Sequence, residues 1–204
     1  EPNPAGGTWY TSYAYDLWNH LTQVSMTRPT GTQTRTFNYG TPPGALLQSA
    51  TNPETGKVSY TYANDRVHTR TDAKGVVTTY DYDGYGRVTS LTYSGSTDPA
   101  VTYYYDTNPF DSTYPQYPNG RLTAVQYSGT GGTYTDMFQY DRAGRVVKKK
   151  LKVDRTVPAP DYCHTCTPVL ASAAVEGVWS YDAEGRVLRA THPDGSVMDY
   201  GYDT

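Results

Sequence analysis

The sequence lacks a long apolar run, a strong excess of charge and a clear secretion leader. No stretch approaches the roughly 18 consecutive apolar residues that indicate a membrane-spanning helix, so we predict no membrane span. The net charge is −3 over 204 residues, which gives no electrostatic attraction to nucleic acid or to an anionic membrane. The chain starts at Glu1 with neither Met nor an apolar signal core, and we expect a mature or excised segment.

Cysteine is nearly absent, and both copies, Cys163 and Cys166, lie in one Cys-x-x-Cys. Zinc usually takes four ligands, and with only His164 beside the cysteines the fourth is missing. A thioredoxin-like role needs the motif at a helix start, which this segment does not offer. We favour a structural disulfide in an oxidising compartment, with free thiols, metal binding and redox catalysis as the remaining alternatives, and we predict no metal and no cofactor.

Catalytic constellations are also missing. The four histidines, His20, His68, His164 and His192, fall in different parts of the chain, and none has a recognisable nucleophile motif beside it. Aspartates recur at one fixed offset after a tyrosine, which is typical of turn chemistry, whereas a catalytic carboxylate pair would be asymmetric. We therefore predict that the protein is not an enzyme and has no catalytic residue.

What the chain has in abundance is tyrosine. Hydrophobic residues make up only 36% of the sequence, which is thin for a compact core, but there are 22 tyrosines, each able to bury a large ring while its hydroxyl finds a polar partner. An aromatic residue is followed two positions later by a tyrosine eight times, in the pairs Tyr13/Tyr15, Phe37/Tyr39, Tyr60/Tyr62, Tyr80/Tyr82, Tyr103/Tyr105, Phe138/Tyr140, Trp179/Tyr181 and Tyr200/Tyr202. Residues two apart share one face of a strand, so the pattern predicts β structure throughout.

The pairs also define an internal repeat. Their second members recur every 20 to 24 residues, with two longer intervals, which is the period of a small supersecondary unit stacked on copies of itself. We predict one array of about eight units over 1–204, with a loop insertion at 107–119 and a cysteine-containing insertion at 154–178. The predicted structural tyrosine ladder comprises Tyr15, Tyr39, Tyr62, Tyr82, Tyr105, Tyr140, Tyr181 and Tyr202.

A second signature follows the tyrosine and predicts a hairpin corner. An aspartate at the first turn position can accept backbone N–H groups, and a glycine three residues later supplies the positive φ of a type I turn with a bulge. Asn19 can replace the glycine because asparagine tolerates the left-handed region, and in a corner that has lost its glycine Asn64 or Asp65 is available for the turn. The predicted turn residues are Asp83 with Gly86, Asp141 with Gly144, Asp182 with Gly185, and Gly120 at the end of a Pro-rich loop.

The one basic run, from Lys148 to Lys152, alternates with apolar residues. Val147, Leu151 and Val153 lie on one face of the predicted strand, and the lysines at 148, 150 and 152 lie on the other, while Lys149 breaks the pattern. We interpret the run as a solvated sheet face or a protected edge, in preference to a polyanion site.

The Tyr-Asp dipeptides and the Gly-Arg-Val or Gly-Arg-Leu corners together resemble the YD-repeat, or Rhs-repeat, family. That family includes bacterial Rhs and wall-associated proteins, the C subunits of insecticidal toxin complexes, and teneurins. The resemblance covers nearly the whole chain and implies an all-β fold, in which antiparallel β-hairpin repeats form a curled or spiralling β-strip as a shell, barrel or solenoid-like array. No segment resembles the family's self-cleavage site, so toxin processing is not carried over.

From the pattern we expect about 14 to 16 short strands, two per repeat, with the ladder tyrosines stacked on one another and a helix only at Val169–Glu176. The expected function is that of an extracellular or cell-surface scaffold of bacterial type, forming part of a shell, wall or fibre. Its expected partners are flanking YD repeats or head-to-tail copies of the chain, and an enclosed toxin domain. The alternative is a glycan-binding module that uses exposed aromatics, with Trp9, Trp18 and Tyr85 as candidate contacts.

Overall fold

The computed structural model describes residues 9–28, 31–40, 46–129, 131–157 and 169–202. Within these ranges the chain forms fifteen strands and no helix. The strand order in the sheet is the chain order, and the registers are antiparallel. The predicted all-β array of hairpins is confirmed, and its strand number agrees with two strands per repeat.

The strand bounds are β1 Thr11–Tyr15, β2 Leu21–Arg28, β3 Gly31–Tyr39, β4 Leu47–Asn52, β5 Gly56–Ala63, β6 Arg66–Thr71, β7 Val77–Tyr82, β8 Val88–Ser94, β9 Val101–Tyr105, β10 Leu122–Gly129, β11 Gly132–Tyr140, β12 Val146–Val157, β13 Val169–Tyr181, β14 Val187–Thr191 and β15 Val197–Asp199. The chain divides into two compact units, the first formed by residues 1–81 and 92–98 and the second by residues 82–91 and 99–204.

The first unit contains hairpins whose turns are set by local residue chemistry. Ala63 pairs with Arg66 across a two-residue loop, and the loop residues Asn64 and Asp65 have φ of 51° and 59°. Two consecutive left-handed residues are what a type I′ hairpin turn requires, and Asn and Asp accept that conformation at low cost. The predicted replacement of glycine by Asn and Asp in this corner is confirmed.

The second unit contains the buried core of the described residues. Ala124 and Met137 lie on one face of β10 and β11, and Tyr114 from the 107–119 loop packs against them, with Tyr104 and Phe110 at its border. The loop therefore covers one sheet face. Phe138 of β11 follows Met137 directly and therefore lies on the opposite face, because successive side chains of a strand alternate.

The lysine run is more enclosed than the predicted solvated face. The Lys150 amine lies 4.3 Å from the centroid of the Tyr114 ring and 3.3 Å from Asp111 Oδ2, and Lys148 Nζ lies 3.2 Å from Glu176 Oε1. The sequence pattern placed these lysines on one face correctly. It did not show that the 107–119 loop folds back over that face.

The predicted helix at Val169–Glu176 is wrong, because the whole segment belongs to β13. Ala173 and Ala174 favour a helix by intrinsic propensity, but that preference is a fraction of a kcal/mol per residue. The alternative partner is β12, which pairs with β13 from Val157↔Val169 to Lys148↔Val178. Residues 154–157 and 169–178 of the predicted insertion thus extend two strands, while Cys163 and Cys166 lie outside the described residues.

Candidate functional site

The repeated corner is the most strongly organised polar feature of the chain. At Asp141, Oδ1 accepts the backbone N–H of Arg145 at 3.0 Å and Oδ2 accepts its Nε–H at 2.6 Å. The Gly144 N–H donates to the Asp141 carbonyl at 3.1 Å, and Gly144 has φ of 87°, a conformation that glycine adopts without a steric penalty. One carboxylate therefore holds both the turn and the arginine that follows it.

The same geometry recurs where the sequence predicted it. Asp83 accepts the backbone N–H and the Nε–H of Arg87 at 3.0 Å and 2.7 Å, and Asp182 binds Arg186 at 2.8 Å and 2.6 Å. The registers shift by one residue beside the corner tyrosine, as between Gln139 and Tyr140. The predicted turn is thus present in these hairpins, with a bulge beside it at Tyr140 and Tyr181.

Two corners depart from the Asp-x-x-Gly-Arg sequence pattern, but the aspartate still contacts the residue that follows the turn or the glycine within it. In the first, Asn19 takes the glycine position with φ of 66°, and the Nδ1 atom of His20 lies 2.9 Å from Asp16 Oδ2, where other corners have arginine. In the second, the 107–119 loop separates Asp106 from Gly120, yet Asp106 Oδ1 still accepts the Gly120 N–H. The loop is inserted without opening the corner.

Tyrosine hydroxyls connect five of the corners to the strand of the preceding one. The hydroxyl donates to the backbone carbonyl of the residue that follows the preceding arginine, or of its equivalent. The bonds are Tyr62 to Leu47 (2.6 Å), Tyr105 to Val88 (2.9 Å), Tyr140 to Leu122 (2.6 Å), Tyr181 to Val146 (2.7 Å) and Tyr202 to Val187 (2.9 Å). Tyr82 ends β7, and Tyr15 ends β1 with an exposed side chain.

Arginine, rather than a second tyrosine, lies against the face of these rings. The distances from guanidinium carbon to ring centroid are 4.4 Å for Arg87 and Tyr105, 5.4 Å for Arg121 and Tyr140, 4.8 Å for Arg145 and Tyr181, and 4.6 Å for Arg186 and Tyr202. In the first unit, the His20 ring stacks on Tyr39 with centroids 4.7 Å apart.

The expected direct stacking of tyrosine on tyrosine is therefore wrong at Tyr105, Tyr140 and Tyr181. Two strands per repeat separate successive tyrosines by roughly 9 to 10 Å, whereas aromatic pairs contact at about 4.5 to 7 Å. An arginine on the intervening corner fills that gap and adds cation–π attraction. The sequence contained a sign of this arrangement, since a Gly-Arg dipeptide follows four of the eight ladder tyrosines.

The corner carboxylates have pKa values held below their usual range. At Asp141 the main cause is the hydrogen bond from the Arg145 backbone, and the Arg145 side chain adds to it. At Asp83 and Asp182 burial alone would raise the pKa, but the hydrogen bonds from the following arginine outweigh it. These three carboxylates are thus ionised structural acceptors.

One corner was missed by the sequence reading. Asp72 Oδ1 accepts the N–H groups of Lys74 and Val76 at 2.9 Å and 3.0 Å, and Gly75 has φ of 83°. This Asp-x-x-Gly turn has no preceding tyrosine, which is why the Tyr-Asp signature passed over it.

The candidate glycan contacts differ in accessibility. The side chains of Trp18 and Tyr85 are 57% and 85% exposed, and each residue occupies the third position of its corner, where its N–H donates to the corner aspartate at 2.9 Å. Trp9 is half-buried, with the Arg28 guanidinium 5.3 Å from its ring. A glycan role for these three remains a prediction.

Among the described residues, no three His, Cys, Asp or Glu side chains converge as a metal site would require. In the same part of the chain, no helix is long and apolar enough to cross a bilayer.

Comparison with known proteins agrees with this architecture. The family model RHS Repeat matches residues 62–98, so the resemblance to YD repeats is confirmed there, and no curated protein sequence matches the chain. Two solved structures are similar over 95% of the chain: TcdB2-TccC3-Cdc42, with 15% identity and a TM-score of 0.64, and TcdB2-TccC3-TEV, with 14% identity and a TM-score of 0.55. The chain spans only 10% and 11% of the chains it matches in them.

Proposed function

We propose that the chain is a structural module of an extracellular or cell-surface YD-repeat assembly, and that it forms part of a β-shell, wall or fibre. The observation that carries this proposal is the repeated link between corners of the second unit, in which an arginine contacts the face of the next tyrosine and a carbonyl accepts its hydroxyl. Residues that link neighbouring units stabilise a repeat array and need no chemistry of their own.

The partners follow from the same links. Tyr15 is 56% exposed at the end of β1, and β1 is first in the strand order. A flanking repeat could supply the cation and the carbonyl that the other tyrosines receive. We propose flanking repeats of the same polypeptide, or head-to-tail copies of the chain, as the source. The likeness to toxin-complex structures supports an enclosed toxin domain as cargo and a bacterial, secreted origin.

Light scattering and electron microscopy of the isolated chain test the proposal. An array that offers a strand edge should associate as its concentration rises, and the expected products are fibres or closed assemblies. A monodisperse species of 22.6 kDa over a wide concentration range would contradict it. The matched variant is Tyr15→Ala, which removes the exposed ring and should weaken association while leaving the circular dichroism of the other strands in place.

A second candidate function, glycan binding, is favoured by the exposure of Trp18 and Tyr85 at equivalent corner positions. Exposed rings flanked by polar groups are typical of surfaces that recognise ligands. A glycan array read at near-millimolar sensitivity tests this function. A hit that is lost in Trp18→Ala or Tyr85→Ala would favour it over the scaffold, and the absence of hits would remove it.

A further inference from the structure

Among the described residues, β13 of the second unit has a strand along only part of one of its edges. β12 pairs with β13 along Val169–Val178, whereas β14 pairs only with the short segment Val178–Tyr181. Among the residues that the structure describes, the segment 171–177 therefore has no strand on its β14 side. Every second residue there directs its N–H and C=O groups outward, and such groups form a template for another strand.

This edge lacks the usual protection against pairing. Its exposed residues are Ala171, Ser172, Ala173, Ala174 and Val175, which include no charge and no proline. The one charged residue of the segment, Glu176, is half-buried and paired with Lys148 on the other face, and Gly177 is buried. The register between β12 and β13 runs without a bulge over ten residue pairs, so the edge is regular. Natural sheets generally block such an edge with lysine, proline or a bulge, and their absence here is typical of a strand that accepts a partner.

A cavity of about 230 Å³ lies beside the edge, on the face opposite the 107–119 loop. Its apolar lining includes Leu151, Val175, Trp179 and Ala190. An apolar cavity of about 150 Å³ already accommodates benzene, so the space suits one aromatic or large aliphatic side chain. At its rim, Lys149 Nζ and Asp136 Oδ1 pair at 3.0 Å and neutralise each other.

The cavity results from a departure from the repeat pattern. Trp179 is the one tryptophan among the aromatic pairs. Two residues before it stands Gly177, whereas the residues two positions before Phe138 and Tyr103 are Asp136 and Val101. A Cβ atom at position 177 would lie 3.0 Å from Trp179 Cη2. Gly177 thus lets the indole lie close over β13 and leaves the space open.

We propose that this edge and this cavity form one docking site for an extended, uncharged polypeptide segment of another molecule. The segment adds as a strand along 171–177, and one of its aromatic or large aliphatic side chains enters the cavity. Strand addition of this kind takes affinity from main-chain hydrogen bonds and specificity from pockets for alternate side chains. The proposal goes beyond the scaffold role, because it assigns the chain a binding partner outside the array.

The test uses the full chain labelled with ¹⁵N and an acetylated, amidated Ser-Thr-Val-Phe-Thr-Ser peptide. The reporters are the Trp179 indole N–H, assigned with Trp179→Phe, and the Val175 amide. We expect saturable shifts of both. Replacing Phe by Ala in the peptide should weaken binding by about tenfold or more. Alternate peptide residues can be N-methylated in two ways, at the odd or at the even positions. Only one edge of the peptide faces β13, so one of these two peptides should also bind about tenfold or more weakly, and the other should not.

Variants of the chain provide the matched control. Val175→Asp places a charge between the edge and the cavity and should weaken peptide binding by about tenfold or more, whereas Val197→Asp changes a residue of similar exposure, 52% against 50%, and should have less than about a twofold effect. The proposal is overturned by the absence of saturable shifts at millimolar peptide, by equal binding of both N-methylated peptides, or by equal loss in the two variants. Shifts that depend on protein concentration alone would identify a second copy as the occupant and also overturn it.

Discussion

The guanidinium carbon of Arg145 lies 4.8 Å from the centroid of the Tyr181 ring. The same side chain holds Asp141 of its own corner at 2.6 Å and donates to the Asp182 carbonyl of the next corner at 3.0 Å. One arginine thus joins the turn of one repeat to both the ring and the turn of the next. Its planar, multidentate head is suited to this role, because it can stack and donate at the same time.

Replacing Arg145 by lysine should therefore destabilise the second unit. Lysine keeps the charge but loses the fork of donors and the planar stacking surface, and hydrogen bonds that involve a charged group contribute about 1.5 to 3 kcal/mol. We expect the urea midpoint, followed by circular dichroism, to fall accordingly. The control is Arg142→Lys in the same turn, where the exposed side chain bonds only the Tyr117 hydroxyl, at 3.1 Å. Equal losses in the two variants would contradict the linking role.

The tyrosine hydroxyls can be tested separately from their rings. Tyr140→Phe removes the bond to the Leu122 carbonyl and leaves a poorly solvated acceptor, so we expect a loss of about 1 to 3 kcal/mol in the free energy of unfolding. Tyr85→Phe removes a hydroxyl from a side chain that is almost fully exposed and should change stability by less than about 0.5 kcal/mol. A neutral Tyr140→Phe would mean that the ring alone carries the contact.

Periodicity was sufficient to predict the fold class and the corners that follow a Tyr-Asp dipeptide. The Asp-x-x-Gly spacing determines the conformation of a turn. The spacing of two residues between an aromatic residue and a tyrosine determines which face of a strand they share. Both are local features, which a sequence pattern can predict. Asp83 with Gly86, and Asp141 with Gly144, consequently lie in the turns that the sequence predicts. The Asp72 corner shows that the turn chemistry operates without the tyrosine.

Contacts between residues far apart in the sequence could not be predicted from the spacing pattern. Whether Arg145 or another tyrosine contacts Tyr181 depends on the separation of strands two places apart, which the spacing along the chain does not give. Likewise, the alanines near Val175 read as helix because the partner strand β12 is far away in sequence, and the fold-back of Tyr114 onto Met137 comes from an irregular loop. In each case a tertiary contact outweighed the local preference.

The positive φ of Gly144 gives a prediction about the corner itself. Alanine in the left-handed region costs about 1 to 2 kcal/mol, and a Cβ atom at this position would also lie 3.2 Å from the end of the Arg121 side chain. We expect Gly144→Ala to lower the midpoint of urea unfolding. Gly84→Ala is the control, because position 84 has open space and no positive φ, and it should be neutral or slightly stabilising.

Three of the ladder tyrosines, Tyr62, Tyr105 and Tyr140, should resist ionisation in alkali. Burial raises the pKa of Tyr62, and it also raises the pKa of Tyr105 and Tyr140 although Arg87 and Arg121 partly oppose it. Because the folded pKa lies above the unfolded value of about 10, this stability is present below pH 10 and is lost as the pH rises through the folded values. Absorbance at about 295 nm should show a late titration step coupled to unfolding, with one fewer late group in Tyr140→Phe. Complete titration of all tyrosines without loss of circular dichroism would contradict this expectation.

Acid should weaken the corners, because the pKa values of their carboxyl groups are lowered in the folded state. The pKa of Asp141 is lowered chiefly by the backbone hydrogen bond from Arg145, and those of Asp83 and Asp182 are lowered by hydrogen bonds that outweigh burial. A carboxyl group with a depressed folded pKa contributes stability that is present above its unfolded value of about 4 and is lost as the pH falls through the folded value. The urea midpoint should hence be flat near neutral pH and decline below about pH 4. Asp141→Asn cannot titrate, so it should begin with a lower midpoint and decline less steeply in acid than the parent chain. Parallel declines in the two proteins would show that Asp141 does not stabilise its corner through its charge.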